Sequence, residues 1–149
     1  MSTLAGLAGA LGLGGFGAKA LARALGPAQK DRALDVVGLN EPVARALEQA
    51  GHRALRAPVA NGRVPLDDGA ADAACVAGLP PADVAPLLLD ECARVVKSGG
   101  RVLVATASGL TRRGPERSVV TALFLHAGLV DLEQRVSRGT VITSGRVRR

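Results

Sequence analysis

A cluster of glycines stands directly before a stretch with helical character, in LGLGGFGAKALARAL at residues 11–25. Gly14, Gly15 and Gly17 are typical of loops whose backbone N–H groups bind a nucleotide or another cofactor at the start of a helix. The same pattern also suits the flexible end of an alanine-rich protein. The glycines by themselves therefore leave two interpretations open, a cofactor loop and a chain end without a ligand.

The second group with chemical potential is a set of arginines in the last third of the chain. Residues 98–149 contain nine arginines and three acidic residues, whereas residues 1–97 contain ten basic and ten acidic residues, so the net charge of +6 comes from this end. We expect some of these arginines to contact an acidic substrate, an acidic protein or phosphates, and the alternative is a solvated basic surface. The arginines concerned are Arg112, Arg113, Arg117, Arg146, Arg148 and Arg149. Because no aromatic residue accompanies the C-terminal arginines, any binding of nucleic acid is expected to be electrostatic and non-specific.

The remaining reactive side chains do not form a recognisable site in the sequence. Cys75 and Cys92 lie in apolar surroundings without CxxC spacing, which predicts two small buried side chains in a reducing compartment. His52 and His126 have no ligand-like neighbours, so a metal site is not predicted. The N-terminus is uncharged up to Lys19, lacks a basic start and is too short and rich in glycine to span a bilayer, so we expect a cytoplasmic protein.

Length and composition predict one domain with an unusual core. The chain has 149 residues, of which 48% are hydrophobic, but only two residues are aromatic. We expect a single domain over residues 1–149, with an atypical glycine- and alanine-rich helical segment at 1–30 and a core of Leu, Val and Ala within 31–149.

The order of apolar runs and turn residues predicts an α/β fold. Strands are predicted near residues 32–39, 52–57, 71–79 and 101–107, of which 52–57 alternates between polar and apolar residues. Helices are predicted near residues 18–25, 40–50, 83–97 and 115–127. Asn40 and Asp83 are predicted to cap the second and third helices, and Gly99-Gly100 to end the third. Residues 129–149 alternate around Arg138-Gly139, which predicts an antiparallel hairpin. The expected architecture is a mostly parallel sheet with helices on both faces and this hairpin at one edge.

Three stretches of the chain resemble the class I S-adenosylmethionine-dependent methyltransferases, and the type 11 group most closely. Residues 64–80, VPLDDGAADAACVAGLP, resemble the LPF-D-x-S-FD-x-V stretch that leads into the family's fourth strand. Residues 87–106, LLLDECARVVKSGGRVLVAT, resemble L-x-E-x-x-RVLKPGG-x-L, the family's helix, turn and fifth strand. Residues 35–55, DVVGLNEPVARALEQAGHRAL, resemble its second strand and the helix that follows. We expect Glu91 to bind Arg94 or a loop backbone, and the resemblance implies the Rossmann-like methyltransferase fold.

The resemblance also implies where S-adenosylmethionine would bind, and this sequence departs from the family there. In the family an acidic residue introduces the glycine-rich loop after the first strand, a second one ends the second strand and binds the ribose hydroxyls, and a third precedes the LPF segment. Carboxylates suit these places because their charge-assisted hydrogen bonds are strong. The corresponding positions here hold Gly12, Asn40 and Val59-Ala60, and Phe16 replaces a loop glycine. Glu41 is the nearest carboxylate that could compensate.

The match covers about residues 34–148 and leaves the N-terminal segment to be explained. Residues 4–11, LAGLAGAL, contain no β-branched residue, which is unusual for a strand. The family's first strand is therefore either degraded or replaced by a helix over residues 3–25 that covers the sheet. We favour the helix.

These departures favour a degenerate methyltransferase-like protein that has lost its cofactor and catalysis. Such a protein is expected to act as an adaptor or regulatory subunit through protein contacts, self-association included, because an apolar surface left by a lost strand is costly to expose. The first alternative is an active small S-adenosylmethionine-dependent methyltransferase whose cofactor site is built from Gly14, Gly15, Gly17, Asn40 and Glu41. The second alternative is a basic protein associated with nucleic acid.

Overall fold

The computed structural model describes residues 14–56, 62–80, 83–107, 117–137 and 139–148. Helices and strands alternate along these residues in an α/β order. In chain order they are α1 (Gly14–Leu25), β1 (Asp35–Gly38), α2 (Glu41–Gln49), β2 (Arg53–Leu55), β3 (Ala71–Ala77), α3 (Ala85–Val95), β4 (Val96–Ala107), α4 (Arg117–His126), β5 (Leu129–Ser137) and β6 (Thr140–Val147).

The six strands form one mixed sheet in the order β2-β1-β3-β4-β6-β5. The first four are parallel to one another, and β6 runs antiparallel to both β4 and β5. The predicted mostly parallel sheet with a C-terminal hairpin is therefore confirmed. Strands β5 and β2 are the two edges of this sheet.

Successive residues of the central strands alternate between two apolar layers, as the period of a strand requires. Val36 of β1 and Leu103 of β4 pack on one face with α1 and α2, in a cluster that includes Leu21 and Leu47. The opposite face is covered by α3 and α4, and there Phe124 is the largest fully buried side chain. The helices thus lie on both faces, and the core consists mainly of Leu, Val and Ala, as predicted.

Helix α1 lies within the helix that we favoured over residues 3–25, and it includes the glycines for which a cofactor loop was the alternative. Its described part runs from Gly14 to Leu25, before Gly26-Pro27. Ala18 and Leu21 are buried, and the helix packs on α2, β3, β4 and β6. Packing of this apolar stripe on the sheet outweighs the low helix propensity of glycine.

The predicted cap of the third helix is wrong. Helix α3 begins at Ala85, its N-cap residue is Val84, and no side chain caps it. Asp83 therefore lies one residue too early to cap the helix. Pro86 lies in the first turn, where its missing N–H has no intrahelical acceptor to lose.

The predicted end of α3 at Gly99-Gly100 is also wrong, because the helix ends at Val95 and β4 begins at once. The register between β3 and β4 shifts between the pairs Ala71↔Val96 and Ala73↔Arg101, so the glycines lie in an irregular part of the strand. Gly99 has a φ of +84°, which glycine adopts without strain, and a Cβ on Gly100 would collide with the backbone oxygen of Asp72. None of the described helices is long and apolar enough to cross a membrane.

Candidate functional site

In open α/β sheets ligands bind outside the carboxyl ends of the strands, where the strand order reverses direction. In this sheet the chain passes from β1 to β2 on one side and then to β3 on the other, so the reversal lies between β1 and β3. The carboxyl ends at this point are Gly38 and Ala77. The edge formed by these two strand ends is the candidate cofactor site. Asn40 and Glu41 lie just after the end of β1 in the sequence.

Strands β1 and β3 are hydrogen-bonded neighbours along their whole shared length. Their parallel register pairs Val36 with Ala73, Val37 with Ala74 and Gly38 with Cys75. By the resemblance, β1 corresponds to the family's second strand and β3 to its fourth. In the doubly wound order the first strand lies between those two. Paired strands are about 4.8 Å apart, so the place of the first strand is closed in this sheet.

The three glycines proposed for a cofactor loop lie in the first turn of α1 rather than in a loop that follows a described strand. Gly14, Gly15 and Gly17 all have helical backbone, and Gly17 is buried. The side chain of Phe16 and the whole of Gly12 lie outside the described part of the structure, as do Val59 and Ala60. The expectations about those four residues stay predictions.

Asn40 caps α2, as its position in the sequence predicts. Its side-chain Oδ1 accepts a hydrogen bond from the backbone N–H of Val43 at 3.3 Å, and its own backbone is extended. The helix also lies very close to the strand end, since a Cβ on Gly38 would be 3.1 Å from the backbone N of Ala44. The amide oxygen of Asn40 is therefore used in the fold at the position where the family has an acid.

Glu41 is next to Asn40, but arginines occupy both of its carboxylate oxygens. Arg56 donates to them from Nε at 2.9 Å and Nη2 at 3.1 Å, and Arg45 donates at 3.4 Å. Arg56 also binds Glu48, at 2.6 Å. The hydrogen bond with Arg56 is the main cause that lowers the pKa of Glu41. These exposed ion pairs are weak, so they occupy Glu41 without fixing it.

The strongest carboxylate cluster lies elsewhere and holds a loop in place. Glu91 accepts hydrogen bonds from Nε of Arg94 at 2.8 Å and from the backbone N–H of Val64 at 2.9 Å. Arg94 also donates to the backbone oxygens of Val64 and Leu66 and to Asp68. The hydrogen bond with Arg94 is the main cause that lowers the pKa of Glu91. Glu91 was expected to bind Arg94 or a loop backbone, and it binds both, so its role is structural.

A second polar cluster, which the sequence pattern did not indicate, lies at the amino ends of the strands. Asp72 of β3 accepts the backbone N–H of Asp35 at 2.7 Å and pairs with Lys97. Burial raises the pKa of Asp72, but Lys97 and the Asp35 N–H outweigh it, so the pKa is lowered overall. Arg53 binds Asp35 from β2, at 2.7 Å. These contacts tie strands together on the edge opposite the candidate cofactor site.

His52 is buried between two backbone groups. Its Nδ1 accepts from the N–H of Leu34 at 3.2 Å, and its Nε2 lies 2.8 Å from the backbone oxygen of Gly26, to which it donates. Both ring nitrogens are thus used in joining the end of α1 to β1. The imidazole of His52 is a packing element.

The cysteines are buried, as predicted, and burial raises the pKa of both Cys75 and Cys92 to about 12. Thiols of this kind are poor nucleophiles and poor metal ligands at neutral pH. In the described ranges no group of three His, Cys, Asp or Glu residues is arranged to hold a metal ion.

The predicted arginines are only partly described. Arg112, Arg113 and Arg149 lie outside the described residues, whereas Arg148 is described and exposed. Nε of Arg117, at the start of α4, donates to Oε1 of Gln134 at 3.3 Å, so this side chain contacts the sheet.

Arg146 lines a cavity of about 380 Å³ on the α1 face of the hairpin. The cavity contains both signs of charge, because Arg101 and Arg135 line it together with Asp131 and Glu133. Arg146 also donates to the backbone oxygen of Gly99 at 3.1 Å. The surface around Arg146 therefore carries both signs of charge, and its contact with an anion or a partner stays a prediction.

Comparison with solved structures gives the fold. The chain is similar to a SAM-dependent methyltransferase from Thermotoga maritima, with 14% identity over 90% of this chain and 89% of that one and a TM-score of 0.59. It is similar to the Burkholderia thailandensis 1,6-didemethyltoxoflavin-N1-methyltransferase, whose structure contains S-adenosylhomocysteine, with 16% identity, coverage of 89% and 77%, and a TM-score of 0.59.

A third similar structure is the methyltransferase chain of a Haloferax volcanii complex with the Trm112 methyltransferase activator, with 15% identity, coverage of 86% and 87%, and a TM-score of 0.59. No protein-family model matches the sequence, and no curated protein matches it significantly. The chain therefore has the Rossmann-like fold of SAM-dependent methyltransferases, as the resemblance implied.

Proposed function

We propose that this chain is a methyltransferase-fold protein that does not bind S-adenosylmethionine and acts through contacts with protein chains. The observation that carries the proposal is the direct pairing of β1 with β3. In related folds the cofactor loop connects a first strand to its helix, and the strand fixes where that loop lies. In the described part of this sheet, the two strands that would flank the first strand are paired with each other. No described strand therefore supports a cofactor loop at this place.

The side chains at the candidate site agree with the proposal. A cofactor ribose presents two hydroxyls, which a carboxylate accepts far better than a neutral amide does. Asn40 offers an amide whose oxygen already caps α2, and the carboxylate of Glu41 already accepts hydrogen bonds from Arg56. Each cofactor group left without a partner costs about 1–3 kcal/mol, so several such losses are enough to remove useful affinity.

Two observations support a role in protein contacts. Several large apolar side chains are more than two-fifths exposed in the described residues, namely Leu87, Val119, Leu125 and Val136. Exposed apolar side chains that group together are typical of interaction surfaces. A neighbour of this fold, the Haloferax volcanii methyltransferase, is found in complex with a protein activator.

Calorimetric titration of the full chain with S-adenosylmethionine and S-adenosylhomocysteine tests the proposal. The expected result is no binding heat up to millimolar ligand, while the Burkholderia thailandensis enzyme binds S-adenosylhomocysteine in the same buffer. Micromolar affinity that weakens in the Asn40→Ala variant would mean that the site is functional. That result would make the active methyltransferase the correct alternative.

A further inference from the structure

The outer strand of the hairpin is a long open edge. Among the described residues, strand β5 is paired with β6 only, and the other edge of the described sheet, β2, has just three residues. Asp131, with a φ of 54°, lies in an irregular part of β5, and the register is regular from Glu133 to Ser137. An edge of this kind presents unpaired N–H and C=O groups that pair readily with another strand.

The two faces of this edge differ in character. Gln134 and Val136 lie opposite Thr143 and Val141 of β6, on the side of the sheet that α4 covers. Leu132 packs on the core of the same side, and Val136 is 54% exposed although Val141 beside it is buried. The apolar side chain of Val136 is therefore left exposed at the outer edge of the layer that α4 covers.

The opposite face of the regular segment, from Glu133 to Ser137, carries one acid and one base. Glu133 and Arg135 flank Gln134, with 63% and 82% of their side chains exposed. Within one chain their closest charged atoms are 3.9 Å apart, which is a weak contact at such exposure. Two opposite charges placed symmetrically about one residue are complementary to the same segment run in the opposite direction.

We propose that a second copy of this chain binds along β5, antiparallel to it, about a two-fold axis at Gln134. Glu133 of each copy then lies opposite Arg135 of the other, and Leu132 lies opposite Val136. Directly opposed pairs of opposite charge or of apolar side chains stabilise a sheet. This interface makes the protein partner in the proposed function a second copy of the chain, and to that extent it rests on the proposed function.

The charges select this register against its neighbours. A two-fold axis perpendicular to the sheet keeps side chains of one face together, so the axis passes through a residue rather than between two residues. An axis at Glu133 opposes two glutamates, and an axis at Arg135 opposes two arginines. An axis at Glu133 would also place Arg135 opposite Asp131, but Asp131 lies in the irregular part of β5. Among axes whose charged pairs lie within the regular segment from Glu133 to Ser137, only the axis at Gln134 joins opposite charges.

Helix α4 enlarges the surface beyond the strand. It packs over β5 and β6, and Arg117 at its start is joined to Gln134. Val119 and Leu125 of this helix are 47% and 60% exposed. In the two-fold arrangement both copies of α4 lie on the same side of a continuous sheet of twelve described strands. One strand pair alone buries less area than a stable interface does, and the two α4 helices add to that area.

Analytical ultracentrifugation of the full chain and three charge variants tests the interface. The wild type is expected to have twice the chain mass of 15.1 kDa. Each of the single variants, Glu133→Arg and Arg135→Glu, places two pairs of like charges opposite each other across the interface. Each is expected to weaken dimerisation by about tenfold or more. The double variant E133R/R135E restores opposite charges and is expected to recover wild-type affinity. Far-UV circular dichroism and thermal melting show whether each variant is folded.

An engineered disulfide tests the register. Gln134→Cys brings two thiols to directly opposed positions, about 5 Å apart between Cα atoms, which suits a disulfide. The control Val136→Cys is exposed, but its two copies lie about 13 Å apart along the strands. Under oxidation the first variant is expected to form covalent dimers and the second is not. Cys75 and Cys92 are buried and do not compete.

Either of two results would overturn the interface: a wild type that is monomeric at 100 µM, roughly the concentration at which weak dimers form, or single charge variants that dimerise like the wild type. These outcomes are independent of cofactor binding. A monomer that fails to bind S-adenosylmethionine leaves the proposed function with a different protein partner, including one that binds the exposed face of α4. A dimer with the expected charge dependence that does bind the cofactor disproves the proposed function and keeps the interface.

Discussion

Val37 of β1 is the direct parallel neighbour of Ala74 of β3, and both side chains are completely buried. This pairing joins two strands that the doubly wound order separates by a third. A missing acid at a cofactor site is a local change that one substitution can reverse. A missing strand cannot be restored by one substitution, because the loop has lost its support and buried side chains of the neighbouring strands occupy the place. The pairing therefore weighs more in the proposed loss of cofactor binding than any single residue does.

Replacement of Arg94 by alanine is expected to lower the free energy of unfolding by about 2–3 kcal/mol. The variant removes the nearest cation of the largely buried Glu91, leaving Arg63 at 3.8 Å, and it removes donors from the backbone oxygens of Val64 and Leu66. Urea denaturation followed by circular dichroism measures the change. Arg45→Ala is the matched control, because Arg45 is an exposed partner of Glu41, and its effect is expected to be negligible. Equal losses in the two variants would mean that the loop does not depend on Arg94.

The same cluster predicts part of the acid sensitivity of the fold. The pKa of Glu91 is lowered from its ordinary value of 4.5, so its folded state prefers the ionised form. Its contribution to stability is then present above the unfolded pKa and is lost as the pH falls through the folded pKa. The difference in unfolding free energy between wild type and Glu91→Gln should be full at about pH 6 and shrink steadily below about pH 4.5. A difference that is constant from pH 6 to 3 would contradict this assignment.

The two glycines of β4 are expected to differ sharply in their tolerance of alanine. A Cβ on Gly100 collides with the backbone of Asp72, so Gly100→Ala should cost about 3 kcal/mol or more. Gly99 has open space around it and only a positive φ to lose, so Gly99→Ala should cost about 1 kcal/mol. Thermal and urea unfolding of the two variants compare them directly. Equal costs would mean that the irregular pairing near Asp72 is absent.

Features with a local chemical signal could be predicted from the sequence. The cap at Asn40 follows from an acceptor side chain ahead of Glu41-Pro42, and the hairpin follows from alternation around Arg138-Gly139. Burial of Cys75 and Cys92 follows from their apolar neighbours. In each case the residues that determine the structure lie within a few positions of one another.

Features that depend on distant parts of the chain could not be predicted in detail. The irregular start of β4 arises from the approach of Asp72, a residue of another strand, so the glycines were interpreted as a helix end. The engagement of Glu41 by Arg56 joins two elements fifteen positions apart.

The central claim is that the closed place between β1 and β3, rather than the missing acid alone, prevents cofactor binding. Asn40→Asp tests it most directly, because it restores the carboxylate at the family's position and still provides an acceptor for the cap of α2. Calorimetric titration of this variant with S-adenosylmethionine is the measurement. We expect a folded protein with no detectable binding, like the wild type. Micromolar binding by Asn40→Asp would contradict the claim, because it would mean that the sheet still supports a cofactor site and lacks only one acid.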